Sequence, residues 1–404
     1  MPFNNQIRVL LGDFRLLFFI LALCLYALWG SPTPDNPGMV EAVIAVLLML
    51  SLGTSPSFIR LFYSLPQSQE KWFLAAMVFA LYGFSVPFIT ALMHQTEITV
   101  ILRDLIGFVF LCLPLFFVPF VQGNTDGQKF FLFTLIVIGV VFSARVLFPD
   151  FILWKSSLEL LYLANSPLVL FTAIFLLSRA FQEIFDKVTI RRFVVCSVFL
   201  GLAAIPLLAM FVDLQRASVL ALGITAVFLG LLGLIKAPVK MAAPLLVFGW
   251  LCFLAYPYVL EIIENVEIKT SQVGLNMRLQ EIYAVWDNTG QSWLGILFGQ
   301  GWGSSFPSPA VGGLQVTYTH SLLSYVFLKM GLAGLFLTLI YLFFIFEKLL
   351  RLYFIDPVKG NALMWPLIIP IFLYASHKSF DFGLLLSLII LSAGAPKNKT
   401  EIVA

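Results

Sequence analysis

Three side chains in the second half of this sequence could act on an anionic leaving group. Arg216, in Asp213-Leu214-Gln215-Arg216-Ala217-Ser218, and Arg278, three residues before Glu281, carry guanidinium groups. A guanidinium forks onto phosphate oxygens and keeps its charge at any physiological pH. His320, in Tyr318-Thr319-His320-Ser321, opens an apolar run, and the chain has only two other histidines, His94 and His377. Imidazole at a helix N-terminus sits in positive potential, which favours the neutral form able to take a proton. Thr319 or Thr317 is positioned to cap that helix. Plainer uses exist for each: Arg216 as a snorkelling anchor, Arg278 in a helix-surface pair with Glu281, His320 as a polar residue closing a loop.

Around these residues, Tyr318 and Ser321 are candidate supports. Lys329 lies nine residues into the run that His320 opens, where a charge is costly and faces a cavity or a partner. Gly299, Gly301 and Gly303 could turn backbone N–H groups toward a phosphate. No strand precedes them and no helix clearly follows, so a tight turn that packs the loop onto a bundle explains them better. Gly331 and Gly334 read as a small-residue face for close helix packing. The four cysteines, Cys24, Cys112, Cys196 and Cys252, all sit in apolar runs without metal-ligand spacing, and no outer loop holds an Asp-x-Asp pair. No metal or other cofactor is expected.

The elements that must position this set are membrane helices. Of 404 residues, 60% are hydrophobic and 11% charged, against about 25% charged in an ordinary soluble domain. A water-soluble fold is excluded, and the net charge of +3 is too small to suggest a nucleic-acid partner. Apolar runs predict an all-α polytopic protein of about twelve spans, at 14–30, 38–53, 72–93, 100–121, 129–148, 159–180, 193–212, 217–235, 239–259, 320–346, 362–376 and 380–394. Phe14–Trp29 reads as the first of these rather than a signal peptide. The second and the last two are short enough to be tilted or re-entrant.

With the N-terminus inside, 16 of the 24 Lys and Arg residues fall on the cytoplasmic side, which predicts that both termini are cytoplasmic. Arg103, Arg145, Lys155, Arg216, Lys269, Arg278, Lys329 and Lys378 are left outside, where topology does not ask for them. The whole chain, 1–404, reads as one integral-membrane domain, with residues 260–319 as a partly helical outer loop capping the bundle. That loop starts with Glu261, Glu264 and Glu267, and continues with Leu279, Ile282, Tyr283 and Trp286 at helical spacing as aromatic anchors. Long loops with structure of their own are usually functional.

Together these pieces resemble the O-antigen ligase and O-antigen polymerase superfamily of bacterial membrane glycosyltransferases. The likeness is carried by Gln215-Arg216-Ala217-Ser218-Val219-Leu220-Ala221-Leu222, by Arg278 with Leu297-Phe298-Gly299-Gln300-Gly301-Trp302-Gly303, and by His320-Ser321 with Gly331 and Gly334 beyond. It covers about the second half of the chain. It implies metal-independent, inverting transfer of a glycan from undecaprenyl pyrophosphate to an acceptor hydroxyl at the periplasmic face of the bacterial inner membrane. Arg216 and Arg278 would hold the pyrophosphate, and His320 would serve or position the acceptor. The partners implied are the lipid-linked donor, a glycan or lipid A-core acceptor, and the lipid bilayer. Ligases carry a second histidine near the first and an acidic residue in that helix; Thr319 and Lys329 occur here, which tilts the reading toward a polymerase of O-antigen, capsule or exopolysaccharide repeats. The alternatives are a lipid-linked-oligosaccharide flippase or another twelve-helix transporter, which would not explain a folded loop ending at His320, and a structural scaffold of an envelope complex.

Overall fold

The computed structural model describes residues 14–32, 39–53, 70–122, 125–149, 162–185, 189–213, 215–236, 238 and 277–394. The expected span 239–259 and the acidic start of the long loop at 260–276 lie outside the described residues. The protein is all-α, with one short antiparallel hairpin among the described residues. The helices are α1 (Phe14–Trp29), α2 (Met39–Leu48), α3 (Lys71–Met93), α4 (Ile98–Leu111), α5 (Leu113–Val121), α6 (Thr125–Leu147), α7 (Pro167–Phe185), α8 (Ile190–Val212), α9 (Arg216–Lys236), α10 (Arg278–Thr289), α11 (Trp293–Phe298), α12 (Leu322–Ile355), α13 (Pro357–Phe372) and α14 (Phe380–Ala393). Strands β1 (Phe306–Ser308) and β2 (Leu314–Val316) stand between α11 and α12, with Phe306 opposite Val316.

Among the described residues, α3, α6, α8, α9 and α12 are long and apolar enough to cross a bilayer, and α4 with α5 makes a sixth span bent by 41°. This is a multi-pass membrane protein, with five to six such helices described where the apolar runs predicted twelve. Length accounts for part of the difference. α1 has 16 residues and α14 has 14, which at 1.5 Å per residue reach about 21–24 Å, short of a hydrocarbon core of about 30 Å. α14 is no lipid-facing span: Phe380 through Leu391 are all buried, and it packs against α4, α5, α7, α12 and α13. A helix apolar on every side is at home in the centre of a bundle.

Two helix breaks shape that centre. Pro114, at the second residue of α5, has no N–H to continue the ladder, and the run expected as a single span at 100–121 folds as two helices meeting at Cys112. Leu115 N–H turns to the Cys112 carbonyl at 3.0 Å, and the Leu111 carbonyl it leaves accepts the Tyr341 hydroxyl at 3.2 Å. The second break lies in α12 at Gly331 (φ 65°, ψ −164°). Gly331 is therefore the point where the helix opens and not part of a regular packing face beside Gly334; a backbone in that region is open to glycine almost alone. A Cβ there would lie 2.5 Å from the Gly299 nitrogen, and a Cβ on Gly299 would lie 2.4 Å from the backbone of Lys329 and Met330. The loop is thus seated in the break. Gln300 N–H donates to the Leu328 carbonyl (2.8 Å), Gly301 N–H to the Lys329 carbonyl (3.1 Å), and the Tyr82 hydroxyl to the Met330 carbonyl (3.0 Å).

Residues 277–319 pack on one end of the bundle through α10 and α11 on α12 and α11 on α3. Trp302, fully buried, gives its indole N–H to the Gly83 carbonyl at 2.8 Å. That carbonyl has no helical donor because Pro87, four residues on, lacks an N–H.

Candidate functional site

α12 is capped by Ser321, whose Oγ accepts from Ser324 N–H at 3.1 Å, and not by Thr319 or Thr317. Thr319 is buried and donates to the Ser321 carbonyl at 2.8 Å, while Thr317 accepts from Arg103 at 3.0 Å. These bonds fix the chain on both sides of His320. Its Nδ1 lies 2.9 Å from Glu281 Oε1, and its backbone N–H donates to Glu281 Oε2 at 3.2 Å. A carboxylate can only accept, so a ring proton belongs on Nδ1, and in the neutral ring it is Nε2 that carries the lone pair. Ser308, on β1, donates to the same carboxylate at 3.1 Å, so the hairpin helps hold the dyad.

Glu281 projects from the first turn of α10, and the sequence reading gave it only to Arg278. That pair is present at 4.0 Å, but the closer bond is to His320, 39 residues away. Burial alone would raise the Glu281 pKa. The bonds from the His320 side chain and backbone, with the Arg278 charge, outweigh burial and hold it below its ordinary value.

Arg278 and Arg216 are each the first residue of a helix, α10 and α9. They lie within electrostatic reach of one another. Burial pushes the Arg278 pKa down; Glu281, Tyr374 and Tyr318 counter this, and the like charge of Arg216 adds to it. Tyr374, two residues past the end of α13, interacts with both arginines and takes the backbone N–H of Ala217. Arg278 Nη1 is buried and, beyond the 4.0 Å approach of Glu281, has no hydrogen-bond partner among the described residues. A buried donor left unmatched costs about 1–3 kcal/mol, so the arrangement is one that an oxygen-rich anion would relieve. The Tyr318 ring meets His320 edge-on at 5.6 Å. Arg216, Arg278, Tyr318 and His320 are therefore brought to one end of the bundle by three helix starts.

Two expected contributors have other employment. Lys329 is fully buried and paired with Asp104 of α4 at 2.5 Å, with a bond to the Ser304 carbonyl at 2.6 Å; its partner is a carboxylate and not an open cavity. The N–H groups of Gly299, Gly301 and Gly303 are all taken, by the Gly295 carbonyl (2.8 Å), the Lys329 carbonyl (3.1 Å) and Asp104 Oδ2 (2.8 Å). They stitch the loop to the bundle and hold no phosphate. Lys378 comes to the other oxygen of Asp104 at 3.8 Å, over the faces of Tyr325 (4.2 Å) and Tyr318 (5.8 Å). Burial, offset in part by Asp104, brings its pKa down to about 7.

Asp104, Glu281, Tyr374 and Lys378 were not singled out as site residues from sequence. For Asp104 a signal exists, since Lys329 deep in an apolar run requires a carboxylate from another helix. Among the described residues, no three carboxylate, thiol or imidazole side chains converge as a metal site would need. A scan against protein-family models and a search of the curated proteins both return no match for this chain.

Proposed function

We propose that this chain is a membrane glycosyltransferase that moves a glycan from undecaprenyl pyrophosphate onto an acceptor hydroxyl, as a polymerase of O-antigen, capsule or exopolysaccharide repeats in preference to a ligase acting on lipid A-core. The observation that carries this reading is the pairing of an oriented imidazole with two clustered guanidiniums, one of them holding a buried, unbonded N–H. In the reaction, the acceptor oxygen forms its bond to the anomeric carbon as the bond from that carbon to the pyrophosphate oxygen breaks. The hydroxyl proton passes to His320 Nε2, and the lipid pyrophosphate leaves with the bonding electron pair. Glu281 holds the imidazole in the accepting tautomer and steadies the imidazolium that forms. Arg216 and Arg278 neutralise the leaving charge, a role that needs preorganised donors.

The proposal includes the bacterial inner membrane, both termini in the cytoplasm, and the site on the periplasmic side. The break in α12 is the one feature that favours transport, because transporters build substrate sites at broken helices. Here the carbonyls of Leu328, Lys329 and Met330 at that break are all bonded by Gln300, Gly301 and Tyr82, which supports the enzyme reading. The test is purified protein incubated with undecaprenyl-pyrophosphate oligosaccharide, with and without a lipid A-core acceptor. A product ladder without core is expected; capture by the core alone makes it a ligase, and no product in either arm overturns the enzyme reading.

A further inference from the structure

Leu279, Ile282, Tyr283 and Trp286 have helical spacing, and as anchors of the cap they should face the bundle. They do the opposite. Their exposures are 61%, 48%, 67% and 52%, while Glu281, Val285 and Thr289 are the buried residues of α10. At 100° per residue the four apolar side chains cover an arc of about 100°. The inward residues occupy the neighbouring arc, and exposed Gln280 and Asp287 take the side beyond. α10 thus has three faces: one against the bundle, one polar, and one broad, aromatic and uncovered. The short helix α11 that follows also leaves apolar side chains uncovered, with Trp293, Leu294, Leu297 and Phe298 exposed at 67%, 51%, 39% and 38%.

We infer that this face of α10 and α11 is a membrane-binding surface, lying in the headgroup region of the leaflet at the end of the bundle that holds Arg278 and His320. Its chemistry and its height agree. Trp and Tyr are the residues that settle at a membrane interface, with an apolar ring and a polar edge, and a helix with one such stripe beside a polar face lies in the plane of the surface. Trp286 stacks on Phe327, ring centroids 5.5 Å apart and planes within 12°. Phe327 is the sixth residue of the spanning helix α12, about 8 Å along its axis. That places the stripe at about the depth, 5–10 Å, to which interfacial helices sink. An aromatic surface of this kind facing water would be an aggregation site. The consequence is that Arg278 and Glu281, on the adjacent face of the same helix, are held at the level of lipid headgroups.

The experiment uses the full chain with Cys24, Cys112, Cys196 and Cys252 changed to Ala. Single cysteines replace Leu279 or Tyr283 in the stripe, and Gln280 or Asp287 as controls. Each is spin-labelled in vesicles of phosphatidylethanolamine and phosphatidylglycerol, and collision rates with oxygen and with a water-soluble nickel chelate are compared. Labels at 279 and 283 are expected to favour oxygen severalfold more than those at 280 and 287. If position 283 meets the chelate as freely as 287, the stripe is in water and the inference fails. If both probes are excluded there, protein and not lipid covers the stripe, and it fails equally. Should the cysteine-free chain not fold, the Trp286→Phe/Trp293→Phe variant replaces it. Its fluorescence must be quenched less by brominated lipid than the parent's, and equal quenching overturns the inference. Neither readout depends on turnover, so the result stands apart from the proposed activity.

Discussion

Two charged centres lie at the same end of this bundle, and they are built on different principles. In the first, Asp104 is enclosed: Lys329 bonds one oxygen at 2.5 Å with Gly303 N–H at 2.8 Å, and Lys378 approaches the other at 3.8 Å. Lys329 is itself completed by the Ser304 carbonyl. In the second, Glu281 is well bonded by His320 and Ser308, but Arg278 keeps a buried N–H without an acceptor and the His320 side chain is 21% exposed. A closed ionic centre fixes how α4, α12 and the loop meet. An unfinished one, with donors directed and not matched, is where an anion can still be bound. What separates the two centres is completion of their hydrogen bonds and not their charge, and the proposed function rests on the incomplete one.

The largest effect should come from the closed centre. Asp104→Ala leaves two buried ammonium groups without their shared carboxylate, and breaking a buried pair from one side costs about 3–5 kcal/mol. The variant should be recovered in low yield or melt far below the parent in detergent, and Asp104→Ala/Lys329→Met should regain part of the loss. A single mutant that melts with the parent would show that the centre is not structural.

Next in size are the open-centre substitutions, with the sign reversed between stability and activity. Arg278→Ala removes an incompletely bonded group, so the protein should insert and melt close to the parent while transfer collapses. His320→Ala should lower transfer by about 10²–10⁴-fold, the range for a positioned general base. If His320→Ala turns over at the parental rate, the imidazole is not the base. If Arg278→Ala unfolds the protein, the contrast between the two centres is lost.

How much of this was readable beforehand differs between the two centres for a physical reason. α3, α6, α8 and α9 follow the apolar runs to within a few residues, because lipid demands long apolar helices and composition reports that directly. Of the basic residues assigned outside, Arg103, Lys329 and Lys378 gather about Thr317 and Asp104, and Arg216 and Arg278 lie within electrostatic reach of one another. What stayed hidden was pairing. Glu281 looked like the ordinary partner of Arg278, one turn away, and only the fold of the hairpin brings it to His320. Gly331 read as a packing residue because a break in an apolar helix leaves no mark in hydropathy; its mark is the glycine opposite, Gly299, which the fold alone supplies. The aromatic stripe of α10 was legible as a helix face, but which side it turned to was not.

A smaller effect concerns the joint between the centres. Gly331→Ala places a side chain at φ 65° and within 2.5 Å of the Gly299 backbone. The cost of about 1–3 kcal/mol for a strained backbone should appear as a lower melting temperature, with transfer reduced because the loop carrying Lys329's partner Ser304 is displaced. An unchanged melting temperature would mean that α12 closes over the break without penalty.

The smallest effect is the most discriminating, because it asks whether Glu281 serves His320 or merely pairs with Arg278. Its pKa is held below the unfolded value, so its contribution to stability is fully present above about pH 4.3, the unfolded value, and fades as pH falls through the lower folded value. Glu281→Gln keeps an acceptor for the His320 Nδ1 proton but loses the charge, and should cost less than about 1.5 kcal/mol at neutral pH. Its melting temperature should therefore fall less steeply than the parent's as the solution is acidified below pH 4. The same variant no longer steadies the imidazolium that forms on His320, so maximal transfer should drop. If Glu281→Gln transfers at the parental rate while Arg278→Ala does not, the carboxylate belongs to the arginine and the dyad is incidental.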